Sequence, residues 1–283
     1  MASFTNFATL SYNGGTTNSN IVTGEILEAL TAVKTAVSAN YSAGDRITYA
    51  LSLVKTGIAA ITDYTVTDNL GGYTVGANTV YPLAYNAGTV RYYINGVLQA
   101  VPTVTAGPPL TVTGLTVPAG GSAVLIYETT ATPVAPLATG SSITNTATIT
   151  GGGLTTPITA QATVETANSA DLTISKALSP TTVTENGQIT YTFVISNTGN
   201  TEATATGNVV VTDTFAPILR NIAVTYNGTA WTEGTNYTYN AATGVFTTLA
   251  GQITVPAATF TQNTDGTFTV TPGTATLVIT GTV

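Results

Sequence analysis

The sequence predicts an all-β chain, two β-sandwiches in tandem behind an N-terminal arm. Three observations predict it. Strand-length runs alternate apolar and polar residues with period two, the pattern of a sheet with one buried face. Threonine, valine, isoleucine and 14 tyrosines fill those runs, while 28 glycines and 12 prolines punctuate them. Landmarks also recur at a fixed distance: Lys34 and Ile47-Thr48-Tyr49 are answered by Lys176 and Ile189-Thr190-Tyr191, each 142 residues later. A repeat of that length is a duplicated domain rather than a solenoid.

Residues 1–30 form the arm. From Ser3 to Tyr12 the alternation is strict, with Phe4, Asn6, Ala8 and Leu10 on one face. Asn13-Gly14-Gly15 is a turn signal, and a segment from about Asn18 to Leu30 is expected to pair back. Residues 31–166 form a complete repeat. Its landmarks after Tyr49 are Val66-Thr67-Asp68 and Ala123-Val124-Leu125-Ile126-Tyr127. It closes with a hairpin. Ile143, Asn145, Ala147 and Ile149 share one face of the first strand, Gly151-Gly152-Gly153 turns, and a return strand runs from about Pro157 to Thr166. Residues 167–283 form the second repeat, with Val211-Thr212-Asp213 and Thr276-Leu277-Val278-Ile279-Thr280 in the matching places. Val283 falls opposite Thr130, so this repeat stops before any counterpart of the Asn145 hairpin. The arm has the pattern of that hairpin.

A sandwich short of an edge hairpin exposes backbone groups and an apolar groove, and a strand from another chain can fill it. The expectation is therefore that the arm of one molecule completes the second repeat of the next. Such a head-to-tail contact does not close on itself, so it makes fibres. Closure by the molecule's own arm, or an unrelated role for the arm, is the alternative.

Composition narrows the function. Only 7% of residues are charged and the net charge is −7, which argues against nucleic acid or an anionic membrane as partner. There is no cysteine and no histidine, so thiolate metal sites, disulfides and histidine-based hydrolysis are excluded. No cofactor and no metal site is expected. The N-terminal residues show neither a basic segment nor an apolar run, so no secretion signal is visible, and no stretch is apolar enough to span a membrane. The expectation is unconventional export, or release when the producing cell lyses.

The chemistry on offer is internal. Each repeat collects an inward lysine, an inward aspartate and an inward asparagine. Lys176 shares a face with Leu172, Ile174 and Leu178, and Lys34 with Ala32 and Ala36. Asp68 shares one with Tyr64, Val66 and Leu70, and Asp213 with Val209, Val211 and Phe215. Asn145 serves the first repeat; the second would have to borrow Asn6 from an arm. Burial favours a neutral, nucleophilic lysine and a protonated acid. Such an amine can attack the asparagine carbonyl carbon and expel ammonia, leaving an isopeptide bond. The expected bonds are Lys34–Asn145 within a chain, assisted by Asp68, and Lys176–Asn6 between chains, assisted by Asp213. The alternative is a buried Lys–Asp salt bridge with asparagine completing the hydrogen bonds.

Other candidates are ordinary structure. Asn263-Thr264-Asp265-Gly266 carries too few acids for a calcium loop and reads as a hairpin turn. Trp231 with Tyr226, Tyr237 and Tyr239 reads as cross-strand packing rather than a carbohydrate platform.

Several segments resemble a known family. Asp171-Leu172-Thr173-Ile174-Ser175-Lys176, Gly187-Gln188-Ile189-Thr190-Tyr191, Asn197-Thr198-Gly199, Val210-Val211-Thr212-Asp213-Thr214 and Asn145-Thr146-Ala147-Thr148 are similar to the bacterial surface repeat known as domain of unknown function eleven. That resemblance implies two tandem immunoglobulin-like β-sandwiches, here with an N-terminal donor-strand arm. The Lys/Asp/Asn trio is similar to the self-crosslinking domains of Gram-positive pilins and collagen adhesins. The overall architecture resembles the main subunit of endospore appendages. These likenesses imply a structural subunit of a spore-surface or extracellular filament, partnered by itself. A monomeric surface adhesin or ligand-binding module is the alternative, and an enzyme acting on an external substrate is not expected.

Overall fold

The computed structural model describes residues 2–26 and 30–283. The chain is all-β and divides into two compact units. One comprises residues up to Ala135 with Ser142–Glu165; the other comprises Pro136–Ser141 with Thr166–Val283.

The arm is a long hairpin. Strand Ala2–Asn6 pairs with Val22–Ile26, and Thr9–Tyr12 pairs with Gly15–Asn18. Asn13 and Gly14 both take positive φ, 28° and 81°, as a tight two-residue hairpin turn requires. The strand expected from Ser3 to Tyr12 is interrupted at Phe7 and Ala8. Between the pairs Asn6–Val22 and Thr9–Asn18, two residues on one side face three on the other. This bulge shifts the register by one residue. The return segment pairs through Ile26, and residues 27–29 of that expectation lie outside the described residues. The arm's apolar side chains are uncovered: Phe4 is 53% exposed and Leu10 63%.

The first unit is a sandwich of two six-stranded sheets. One contains, in order, Leu30–Ala36, Arg46–Lys55, Ser122–Ala131 and Arg91–Ile94. The other runs Leu110–Val117, Ile61–Asp68, Ser142–Gly151 and Ile158–Thr166, with Asn40–Tyr41 on the far edge. In the lettering of immunoglobulin sandwiches these are sheets A-B-E-D and C-F-G. The alternation read from sequence sets which side chains are inside. Ile47, Tyr49, Leu51 and Leu53 are buried from one sheet, and Ile143, Asn145, Ala147 and Ile149 from the other.

The second unit has the same first sheet: Leu172–Ser179, Gln188–Asn197, Gly273–Thr282 and Arg220–Tyr226. Its second sheet has three strands, Thr212–Thr214, Val245–Thr248 and Tyr237–Asn240. The Asp213 strand is the counterpart of the Asp68 strand. Asp68 lies opposite Leu110 on one side and Ala147 on the other; Asp213 lies opposite Phe246 on one side. Among the described residues no strand stands on its other side. The consequence shows in the facing sheet. Every described position from Thr173 to Ser179 is exposed, whereas Leu30 and Lys34 of the equivalent first-unit strand are buried. An open apolar groove of about 160 Å³ lies there, lined by Leu172, Ile174, Ile195, Val209, Val210 and Val211.

Two smaller expectations can be placed directly. Asn263–Gly266 is the tip of the hairpin between Thr259–Gln262 and Phe268–Thr271, where Asp265 Oδ1 accepts from the Thr267 backbone N–H and hydroxyl. Trp231 stacks on Tyr226 with ring centroids 4.8 Å apart, across paired strands.

Candidate functional site

In the first unit the three predicted side chains come from three different strands. Lys34 projects inward from Leu30–Ala36, Asp68 from the end of Ile61–Asp68, and Asn145 from Ser142–Gly151. The Lys34 Nζ lies 2.5 Å from Asp68 Oδ2, with the two side chains 0% and 1% exposed. Asp68 Oδ1 accepts from the Leu70 backbone N–H at 3.0 Å. The Lys34 ammonium also sits over two aromatic rings, 4.8 Å from the centroid of Tyr49 and 5.9 Å from that of Tyr127. Burial is the main influence on this lysine. It lowers the amine from 10.5 to about 8, against the opposing pull of Asp68. About a tenth of the amine is then neutral at pH 7, and neutral amine is the nucleophile.

Asn145 is fully buried, and neither its amide nitrogen nor its carbonyl oxygen has a hydrogen-bond partner. That is costly, since a buried amide left unpaired loses about 1–3 kcal/mol. Yet the amide lies near polar neighbours: burial and Asp68 push the titration of Tyr49 and Tyr127 up, and Asn145 opposes that shift in both, the sense of an amide N–H directed at a phenol oxygen. Lysine, aspartate, asparagine and two tyrosines thus share one dry chamber.

The tyrosines were not among the sequence-derived site residues. Tyr127 donates a hydrogen bond from its hydroxyl to Asp68 Oδ2, the oxygen that also receives Lys34. Its titration is pushed well up by burial and then by Asp68. Tyr49 stands directly across from Tyr127 in the paired strands, with ring centroids 5.8 Å apart. The available signal was the inward phase of the two strands, which places both rings on the Lys34 side.

The second unit repeats the pair with less cover. Lys176 Nζ lies 2.5 Å from Asp213 Oδ2, but the side chains are 40% and 17% exposed. The expectation that Lys176 points into a core is corrected to this extent: the lysine faces the core aromatics, 4.4 Å from the Tyr191 centroid, and stays open to solvent. The reason is the vacant edge beside the Asp213 strand, where the first unit has its Asn145 hairpin. Asn6, expected as the third member, lies in the arm among exposed residues, on a strand paired only within the arm. The register differs too: Tyr49 faces Tyr127, while Tyr191 faces Ile279.

No protein-family model matches the chain, and no curated protein matches it by sequence. The resemblance to domain of unknown function eleven therefore rests on the quoted residues alone. Among solved structures the chain is similar to the major pilin subunit BcpA of Bacillus cereus, at 15% identity and TM-score 0.37, covering 96% of this chain and 73% of that one. It is similar to a C-terminal fragment of the major pilin GBS80 of Streptococcus agalactiae, at 13% identity and TM-score 0.37, covering 86% and 87%. It is also similar to the pilus backbone protein RrgB of Streptococcus pneumoniae, at 14% identity and TM-score 0.36, covering 86% and 55%. Identities and TM-scores this low leave the question of function to the site itself.

Proposed function

We propose that this chain is a structural filament subunit whose arm completes the second unit of the next molecule, with isopeptide bonds locking both sandwiches. One observation carries the reading. The arm repeats the alternation and the Asn-x-Ala-Thr core of the Asn145 strand, with Phe4 and Leu10 uncovered, and the Lys176–Asp213 pair stands uncovered on the edge that the Asn145 hairpin fills in the first unit. Transferring the first unit's register puts Ala8 opposite Asp213 and Leu10 opposite Val211, as Ala147 faces Asp68 and Ile149 faces Val66. Asn6 then takes the place of Asn145, beside Lys176.

Magnitudes favour a covalent lock. Burying Phe4, Leu10 and Val22 contributes about 1.5–3 kcal/mol each. Association costs on the order of 4–15 kcal/mol in lost freedom, so docking alone is reversible. Two amide bonds are assigned: Lys34–Asn145 within a chain, and Lys176–Asn6 between chains. The orphaned Asn145 amide supports the first, because bond formation removes its unpaired Nδ2 altogether. On the resemblance to bacterial surface repeats, the filament belongs outside the cell, and on the appendage likeness, on a spore.

Purified chain should form fibres in the electron microscope and boiling-resistant ladders on a denaturing gel, and Asn6→Ala or Lys176→Ala should abolish the ladders. Single particles without ladders would return the reading to a monomeric surface module. Fibres that persist after deletion of residues 1–15 would remove the arm from the assembly.

A further inference from the structure

We propose that the turn of the arm is a self-modification site: the Gly14 backbone nitrogen closes on the Asn13 side chain to a cyclic imide, and water opens that ring to aspartate or isoaspartate. The chain holds four Asn-Gly pairs, Asn13-Gly14, Asn95-Gly96, Asn186-Gly187 and Asn227-Gly228. Glycine leaves the nitrogen after each asparagine unshielded, so all four have the reactive sequence. The structure separates them by what holds the reacting atoms.

Three pairs are restrained. Asn95 Oδ1 accepts from the Ser122 backbone N–H at 2.8 Å, and Asn227 Oδ1 from that of Thr276 at 2.8 Å. Each carboxamide is thereby tied to a neighbouring strand, Ser122–Ala131 or Gly273–Thr282. At Asn186 the attacking atom is engaged instead: the Gly187 N–H donates to the Thr184 carbonyl at 2.8 Å. At Asn13-Gly14, among the described residues, neither the side-chain amide nor the Gly14 N–H has a hydrogen-bond partner. The surroundings differ as well. Every residue from Phe4 to Thr23 except Gly15 is exposed, and the arm's strands pair only with one another. A lone two-stranded hairpin is marginal in water, so this turn opens locally where Asn95 and Asn227 stay held in a sheet. Ring closure needs that freedom, because Asn13 must leave its left-handed turn conformation, φ 28°, for Cγ to reach the nitrogen. The first unit's matching hairpin turns at Gly151-Gly152-Gly153, which has no side chain to react.

The step balances. The Gly14 nitrogen gives its proton to solvent and its electron pair to Asn13 Cγ. The Cγ–Nδ2 bond breaks, and ammonia leaves with a proton from solvent. One water then adds to the imide. Breaking the nitrogen's bond to Cγ leaves aspartate; breaking its bond to the main-chain carbonyl carbon leaves isoaspartate. Isoaspartate carries the chain through Cγ and puts one more backbone carbon into a two-residue turn, so Thr9–Tyr12 loses its register with Gly15–Asn18. On the filament reading above, an ageing free subunit therefore loses its ability to dock.

Alkaline hydroxylamine tests the chemistry, because it traps the imide and frees Gly14 as a new N-terminus. Folded full-length chain should be cut after Asn13 roughly tenfold faster than after Asn95, Asn186 or Asn227, the upper effect of one net hydrogen bond. In denatured chain all four should be cut at similar rates. Asn13→Gly keeps a residue that accepts positive φ and should leave that turn whole. Folded chain cut as fast at any of the other three overturns the proposal. So does folded chain that stays whole at Asn13 while denatured chain is cut there. An isopeptide bond also removes one ammonia but gives hydroxylamine nothing to cut, so the two losses are told apart. For assembly, wild type aged to isoaspartate should form several-fold fewer fibres than fresh chain, and aged Asn13→Gly as many as fresh. Aged wild type that assembles undiminished removes the effect on docking. Fresh chain that forms no fibres removes the filament reading and leaves the turn chemistry standing.

Discussion

Asn145→Ala separates the covalent site from a buried salt bridge by the sign of its effect. A bond between Lys34 and Asn145 closes a loop of 111 residues. By the loop-closure argument applied to disulfides, a loop of that size restricts the unfolded chain by about 5 kcal/mol. The substitution removes all of that. At about 4 °C per kcal/mol for a domain of this size, melting of the first unit should fall by roughly 20 °C. Without a bond the opposite follows. Asn145 then contributes two buried polar atoms that bond to nothing, and removing them relieves roughly 1–3 kcal/mol against a small cavity. The assay is calorimetric melting of wild type and variant, with intact masses in parallel. A variant that melts at or above the wild-type temperature refutes the bond.

Three further outcomes follow. In Asn145→Ala, where Lys34 stays free, stability should rise as pH increases from about 8 towards 10, because the unfolded lysine still holds a proton that the folded one has lost. The lowering from 10.5 to about 8 corresponds to roughly 3 kcal/mol. The trend should reverse above about pH 10, where unfolded tyrosines ionise while Tyr41, Tyr49 and Tyr127 resist; urea titrations across pH check both limbs. Leu10→Asp should leave melting within about 0.5 kcal/mol, since the residue is 63% exposed, yet abolish fibres seen by electron microscopy. Asp68→Ala should prevent ammonia loss and, by stranding a buried ammonium, destabilise the first unit by about 3–5 kcal/mol in urea unfolding.

Much of this architecture was legible in the sequence because period-two alternation reports burial directly. Ile143, Asn145, Ala147 and Ile149 are inside because every second residue of a strand faces the same way. Strand phase turned Lys34 and Asp68 inward from their separate strands, and the structure brings them together. Features that depend on register or on covering layers were not legible. Tyr127 reaches Asp68 only because its strand lies beside the Tyr49 strand in one particular alignment, which single-strand periodicity does not fix. Lys176 has the inward phase of a core residue, but burial needs a second sheet over it, and its neighbours in sequence carry no information about that sheet. The bulge opposite Phe7 and Ala8 is one extra residue in a polar return segment, invisible without the pairing. Segment 136–141 belongs with the second unit because the Asn200 side-chain amide donates to the carbonyls of Leu137 and Ala167, a contact more than 60 residues away from Leu137 in the chain.

The most direct measurement concerns which molecule supplies the arm. Equal amounts of light and heavy isotope-labelled chain can be mixed before assembly, and the boiled polymer digested and read by tandem mass spectrometry. Donation between molecules predicts a peptide joining Lys176 to Asn6 through an amide, with light and heavy halves combined as often as matched ones. Linked peptides that are only ever light-light or heavy-heavy, or none at all in a polymer that still forms, would contradict it.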